Sequence, residues 1–315
     1  MSCGLSVIVP THDRPEPLAR VVDCLIAQTR LPDEIVIVND AAEEIDPRIG
    51  EKIRAAGVEF QYCRPEVASA AASRNRGMAL ATGDILFLVD DDMSLGEDCL
   101  MRLVDLYRTD TRGTVAGIGP MWTDPPPQRP FRRRLWNLLA RAMGQRCWRP
   151  RVSAARYVSL PPGLAGKLVP AKELAGGAMS IRRRIAEHHR FEETFAGYTM
   201  GEDKEFSYRV GRRHPLFIAP GITVIHDMHP AGRPDWFQMG RMYVSRGLYV
   251  AEKTVEPGAG TVILLAYDFV GMSILHFCWG VGGRRRRNVR LAMGIAVELA
   301  SQAAAAVRRT LWGGS

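Results

Sequence analysis

The sequence has no CxxC pair. Its six cysteines, at positions 3, 24, 63, 99, 147 and 278, are scattered. That spacing excludes a zinc-ribbon site and a disulfide framework, and it fits reduced thiols in a cytosolic setting. No GxGxxG follows the first apolar run and no GxxxxGK[ST] occurs, so neither a dinucleotide oxidoreductase nor a P-loop nucleotidase is supported. The N-terminus enters an apolar run at Leu5 without a basic, apolar leader, which argues against secretion. There is no internal repeat, and no low-complexity tract is longer than Arg284–Arg287 or Ala303–Ala306. Between residues 125 and 160 acid is missing altogether.

That last absence belongs to a wider asymmetry. The net charge of +8 is spread as −9 over residues 1–124, +9 over 125–160, +2 over 161–230 and +6 over 231–315. An acidic body with two basic segments points to anionic partners at defined places: phospholipid head groups, a pyrophosphate or nucleic acid. A chain of 315 residues holds two domains' worth of structure, or one large α/β domain plus an appendage.

What is present is organised around Ile85-Leu86-Phe87-Leu88-Val89-Asp90-Asp91-Asp92. Five apolar residues without alternation want burial on both faces, as in an interior strand of a parallel sheet. The run then stops at three carboxylates. Ligands of open α/β sheets sit beyond the carboxyl ends of strands. Neighbouring carboxylates raise one another's pKa, and a divalent cation is one way to hold them ionised. Hard oxygen ligands favour magnesium or manganese. A solvated acidic turn is the competing reading.

Leu5–Val9, Ile35–Val38 and Val58–Tyr62 read as further strands. A helix opened by Pro15 and Pro17 should end near Arg30-Leu31-Pro32. Others are expected over 47–56, closed by Gly57, and over 69–81. This alternation predicts a doubly wound, mostly parallel sheet. Thr11, Asp13, Asp40 and Asp90 to Asp92 would then emerge at one edge, with Arg74 and Asn75 on the helix leading into the central strand. Carboxylates, an Arg and a cation suit a nucleotide diphosphate.

Seven motifs now carry a resemblance. Leu5-Ser6-Val7-Ile8-Val9-Pro10-Thr11, Val36-Ile37-Val38-Asn39-Asp40, Ser73-Arg74-Asn75-Arg76-Gly77 with Ala81-Thr82-Gly83-Asp84, and Val89-Asp90-Asp91-Asp92 come first. Phe191-Glu192-Glu193-Thr194-Phe195, Gly201-Glu202-Asp203 and Val224-Ile225-His226 follow. In this order they resemble the family 2 glycosyltransferases, inverting enzymes of the nucleotide-diphospho-sugar transferase (GT-A) fold, over about residues 4–230. The resemblance implies that Thr11 and Asp40 hold the base, most often uracil, with Arg74 beside it. It implies Asp90 on the ribose, Asp92 and His226 on a magnesium or manganese ion, and Asp203 as general base. One departure is Asn39, where the family commonly has an acid.

The residues around Asp203 agree. Gly201 to Val210 reads as a helix with Phe206 and Val210 on one face and Gly211 as its stop. Asp203 then lies on the buried side of the first turn, where the helix N-terminus favours the ionised form a base needs. The plain alternative is a surface cap. A lone histidine after a strand is more often structural, and His229 competes with His226.

Both basic segments are amphipathic or apolar. Past Pro125-Pro126-Pro127, Phe131, Leu135, Leu138, Leu139, Ala142 and Met143 recur at helical spacing among arginines, with Trp136 and Trp148 nearby. Such a helix suits an anionic membrane surface, a cover over the site or a diphosphate, or it packs on the protein's own core. Thr261 to Val281 is nearly long enough to span a bilayer. A central Asp268 costs roughly 3 kcal/mol there, and Arg284 to Arg287 follow as a cytoplasmic anchor would. A second helix is expected over about 289–309.

The expected fold class is α/β: a GT-A, Rossmann-like, doubly wound sheet with a C-terminal helical membrane-associated extension. Residues 1–230, with a basic insertion at 125–160, form the first domain, and 231–315 the second. The expected function is metal-dependent inverting transfer from a nucleotide-diphosphate sugar, with a UDP-sugar favoured. The acceptor is a hydroxyl of a glycan or polyprenyl-diphosphate-linked molecule. The location is the cytoplasmic face of the membrane, peripheral or monotopic with a hairpin span as the alternative, or else the cytoplasm, and nucleic acid is not a partner. Alternatives are a sugar nucleotidyltransferase, for which Pro10 to Pro15 lacks a glycine run, and a non-catalytic anionic-polymer or membrane binder. The latter leaves Asp90 to Asp92 and Asp203 without purpose.

Overall fold

Apolar runs that do not alternate must be covered on both faces, and the first strands are used that way. In the computed structural model, β1 (Leu5–Thr11), β2 (Glu34–Asn39), β3 (Glu59–Cys63) and β4 (Ile85–Val89) run parallel in the order β3-β2-β1-β4. The structure describes residues 3–123, 130–145, 160–194, 200–227, 234–255, 258–282 and 285–312. Connecting the strands are α1 (Pro15–Ile26), α2 (Pro47–Ala55) and α3 (Ala70–Leu80). α1 stops short of the expected Arg30 because other groups claim the backbone. The Thr29 N–H donates to the Glu97 carbonyl (2.8 Å), and the Gln28 side chain donates to that of Gly96 (2.8 Å).

Beyond β4 the sheet becomes mixed. β8 (Ala178–Arg182) runs antiparallel to both β4 and β6 (Gly117–Trp122), while β9 (Leu216–His226) is parallel to β6. β5 (Met93–Leu95) and β7 (Val169–Pro170) add antiparallel edges to β9. α4 (Cys99–Thr109), α6 (Arg183–Ala186) and α7 (Glu202–Gly211) complete this unit. Successive strand residues feed opposite cores. Val7, Val9, Ile37 and Phe87 pack with Leu18, Val21 and Leu103, whereas Ile8, Val36 and Leu88 pack with Met78, Phe206 and Val210.

Two details hold the site-bearing edge in place. α3 lies directly on β1 and β2: a Cβ on Gly77 would meet Ile8 Cγ2 at 2.3 Å and Val38 Cγ2 at 3.2 Å. At the opposite strand ends, the buried Glu34 accepts from the Ser6 hydroxyl, from Gln61 Nε2 (2.8 Å) and from the Thr82 hydroxyl (2.8 Å). Burial works against the Glu34 charge, but these donors outweigh it and hold its pKa below the ordinary 4.5.

The chain divides into two compact units, Met1–Pro125 with Arg151–Gly232, and Pro126–Pro150 with Arg233–Ser315. Residues 126–150 of the basic insertion, expected within the first domain, therefore group with the C-terminal helices. The reason is packing. On α5 (Pro130–Ala142), Trp136 meets the rings of His276 (4.8 Å) and Trp279 (5.2 Å) of α9 (Ala259–Gly282). α8 (Trp236–Thr254) and α10 (Arg286–Trp312) complete the second unit. α9 and the Arg286–Ala306 part of α10 are long and apolar enough to cross a membrane by length and composition. Pro125 to Pro127 and Trp148 lie outside the described residues.

Gly77→Ala should cost about 1–3 kcal/mol in a urea melt. Combined with Ile8→Ala, which removes the opposing methyl, its cost should fall well below the sum of the single changes. Because its folded pKa is lowered, Glu34 adds stability above its unfolded pKa and loses it as pH falls through the folded value. Glu34→Gln should therefore cost about 1–3 kcal/mol at neutral pH, and the gap to the parent should narrow in melts run at acid pH.

Candidate active site

Four strand ends and one helix start converge at the carboxyl edge of the sheet. After β1 the chain reverses through Asp13, whose φ of +51° is a left-handed conformation that Asp tolerates better than most residues. Arg14 thereby returns toward the acids after β4. Its Nη1 donates to Asp91 Oδ1 (3.0 Å) and Asp92 Oδ2 (3.4 Å). Thr11, at the very end of β1, donates its hydroxyl to Asp91 Oδ2 (2.7 Å). Burial pushes the Asp91 carboxyl up to about 6, against the pull of Arg14 and Thr11.

Asp40 follows β2. It faces His12 Nδ1 (2.7 Å) and accepts from the Ser73 hydroxyl on α3 (3.4 Å). Its backbone N–H donates to the Thr11 carbonyl (3.1 Å), which ties it to one other sequence-predicted site residue, while its side-chain links run to His12 and Ser73.

The centre of the cluster is Arg74. It is 4% exposed, and its Nη2 donates to Asp90 Oδ1 (3.0 Å) while its Nη1 donates to Glu202 Oε1 (2.7 Å). Burial opposes the guanidinium charge, but the two carboxylates outweigh it and raise its pKa further. Glu202 is pushed up by burial and by neighbouring Asp203, with Arg74 pulling the other way. Arg74, which the resemblance set beside the nucleotide base, is in this fold a buried clasp from the end of β4 to the start of α7.

α7 starts from Gly201 at φ +104°, a left-handed N-cap that turns Glu202, not Asp203, into the interior. Asp203 was expected on the buried side and is instead half-buried. Its Oδ1 accepts from the Lys204 N–H (2.8 Å), and its Oδ2 from the Gly176 N–H (3.0 Å). The Gly176-Gly177 pair is what lets these groups meet. A Cβ on Gly176 would come within 3.0 Å of Asp203 Cβ and 3.1 Å of Arg74 Nη2. On Gly177 it would come within 3.0 Å of Asp90 Oδ2 and of the Trp122 ring.

Asp92 and His226 are brought together by pairing of β5 with β9, which sets Met93 opposite His226. His226 Nε2 lies 3.2 Å from Asp92 Oδ1, and its ring meets Trp122 edge-on at 5.1 Å. Among the described residues no group of three His, Cys, Asp or Glu side chains gathers as a metal cage. One hard carboxylate and one imidazole nonetheless fit a magnesium or manganese ion that draws its remaining ligands from phosphate oxygens and water. His229 and Phe195 lie outside the described residues.

Sequence reasoning assigned no role to His12, Arg14, Trp122, Gly176, Gly177 or Glu202. The adjacency of Glu202 to Asp203 and the doubled glycine were the available signals. Arg74→Met should strand two acids at the clasp and cost about 3–5 kcal/mol in urea unfolding. Adding Glu202→Gln should restore part of that loss.

The sequence matches the family described as "Glycosyl transferase family 2" over residues 6–156. Glucosyl-dolichyl phosphate glucuronosyltransferase of Haloferax volcanii is 31% identical over 128 residues, 39% of this chain and 41% of that protein. Galactofuranosyltransferase GlfT1 of Mycobacterium tuberculosis is 32% identical over 212 residues, 60% of this chain and 64% of that protein. The matched stretches thus span less than two thirds of these relatives. Among solved structures, mannosyltransferase PcManGT from Pyrobaculum calidifontis, in complex with GDP-Man and Mn2+, superposes with a TM-score of 0.54 at 17% identity, over 99% of this chain and 88% of that one. S. aureus TarS 1-349 gives 0.52 at 14%, over 88% and 74%. The motifs, the sheet order and the convergent strand ends agree with these matches: residues 6–156 carry a family 2 glycosyltransferase domain, and the fold is that of the GT-A glycosyltransferases.

Proposed function

We propose that the chain transfers a sugar, with inversion, from a nucleotide-diphosphate sugar to a hydroxyl of a glycan or polyprenyl-diphosphate-linked acceptor. The observation that carries this reading is the carboxylate of Asp203. It is held by the Gly176 N–H next to the Arg74–Asp90 pair, in a site otherwise lined with nucleotide-binding residue types. In the proposed mechanism Asp203 takes the proton from the acceptor hydroxyl. That oxygen attacks the anomeric carbon opposite the leaving diphosphate, and a single displacement inverts the centre. Thr11 and Asp40 hold the base, uracil being favoured, and Asp90 takes the ribose hydroxyls. Arg74 keeps Asp90 oriented from below. Asp92 and His226 would hold a magnesium or manganese ion, which when bound neutralises charge on the leaving diphosphate.

The second unit, by the same proposal, attaches the enzyme to the cytoplasmic face of the membrane, where lipid-linked acceptors reside. Its excess of arginine suits an anionic leaflet.

Asp203→Asn should lower transfer by about 10²–10⁴-fold while calorimetric binding of UDP with manganese stays unchanged. Retained transfer would remove Asp203 from the role. Asp92→Ala should abolish the metal-dependent part of UDP binding; binding that ignores manganese in both proteins would sink the metal assignment.

A further inference from the structure

α9 is apolar on two opposite sides, and only one of them is covered. Leu265, Asp268, Phe269, Met272, Leu275 and Gly280 are buried against the other helices of the second unit. Asp268, 1% exposed, accepts from the Tyr243 hydroxyl of α8 (2.9 Å), and Ser273 donates to the Ala292 carbonyl of α10 (3.0 Å). At about 100° per residue, the opposite side carries Ile263, Tyr267, Val270, Ile274, Phe277 and Val281, between 48% and 67% exposed. From Ile263 to Val281 this ridge runs about 27 Å. Val262, Leu264, Ala266 and Cys278 widen it to about half the circumference.

Three observations decide what covers it. First, Asp268 is the one ionisable acid or Lys/Arg base in α9, and it faces inward; the exposed side has no charge. A helix partner in water would leave a charged rim beside a narrow seam, whereas lipid calls for a broad uncharged arc. Second, positive charge lies directly along and beyond the ridge. Arg285, Arg286 and Arg287 follow its end, and α5 runs beside it with Leu138 66% exposed and Arg134 and Arg141 in solvent. Trp136 meets His276 and Trp279, and the Tyr267 hydroxyl donates to the Ala142 carbonyl, so α5 is antiparallel to α9. Third, a transmembrane placement is closed off by α8. α8 and α10 touch backbone to backbone: a Cβ on Gly240 would meet the Leu291 carbonyl at 2.1 Å, and one on Gly294 that of Phe237 at 2.0 Å. Arg241 of α8 also pairs with Glu298 of α10 (2.9 Å). If α9 and α10 crossed the bilayer, Arg241, Arg246, Glu252 and Lys253 of α8 would be drawn into hydrocarbon with them.

We infer that α9 lies in the plane of an anionic phospholipid monolayer, with the ridge from Ile263 to Val281 in the acyl boundary and the flanking arginines among the head groups. This rests on the membrane attachment proposed above and specifies its surface, its orientation and its lipid charge.

The test uses the full chain with vesicles of phosphatidylcholine, with and without phosphatidylglycerol. The parent should sediment with the anionic vesicles. Ile274→Glu with Phe277→Glu, both solvent-exposed positions, should lower the bound fraction about tenfold, with circular dichroism unchanged. Arg286→Gln with Arg287→Gln should weaken binding to anionic vesicles only. Nitroxides placed at 263, 270 and 277 in a Cys278→Ser background should report one common depth. Depths stepping by about 10 Å per seven residues would mean a span and overturn the in-plane placement. A ridge variant that binds like the parent would overturn the surface while leaving membrane attachment standing. A parent that ignores every vesicle would remove both. Labels that lose oxygen access as protein concentration rises, without lipid, would assign the ridge to a second copy of the chain.

Discussion

The buried guanidinium of Arg74 is the constraint on which the site depends. A charge removed from water is tolerable only with close partners of opposite sign. Its partners are Asp90, at the end of the central strand, and Glu202, at the start of α7. These residues are distant in sequence, so the pair fixes where α7 begins relative to the sheet. Asp203, next in the chain, is thereby delivered to the Gly176 N–H. The guanidinium thus acts on the candidate base through geometry, and the close approach of Gly77 to Ile8 sets its own position on α3.

Charge in the neighbouring acids is managed differently. Asp91 and Asp92 share Arg14, with Thr11 adding a donor to Asp91 and His226 facing Asp92. An imidazole beside one carboxylate of such a row is a donor set open to phosphate oxygens, unlike a closed structural metal cage. The same edge of the sheet therefore holds a dry, paired region around Arg74 and a more polar one around His226, each suited to a different part of a nucleotide sugar.

In the second unit the limiting fact is that α9 buries one side and leaves the other apolar. Inward-facing Asp268, bonded to Tyr243, fixes which side is which. Burying a polar group without a partner costs free energy, so the hydrogen bond orients the helix, and the uncharged ridge faces away.

By itself the sequence determined the four parallel strands β1 to β4, because unbroken apolar runs admit few other solutions, and it pointed to their carboxyl ends as the candidate site. Gly57 at φ +78° and the helices over 47–55 and 70–80 were legible from local rules. That Asp92 and His226 approach to 3.2 Å came from the pairing of β5 with β9. What only the tertiary structure decided were contacts between residues far apart in sequence. Gly201 turns Glu202 inward and leaves Asp203 half-buried, Arg74 becomes a clasp between Asp90 and Glu202, and Gly176-Gly177 opens room for four side chains. Local patterns also could not assign the basic insertion to a unit. Helical spacing tells that Trp136 lies on a helix, but which helix it meets depends on where the chain returns, and in the fold that is α9.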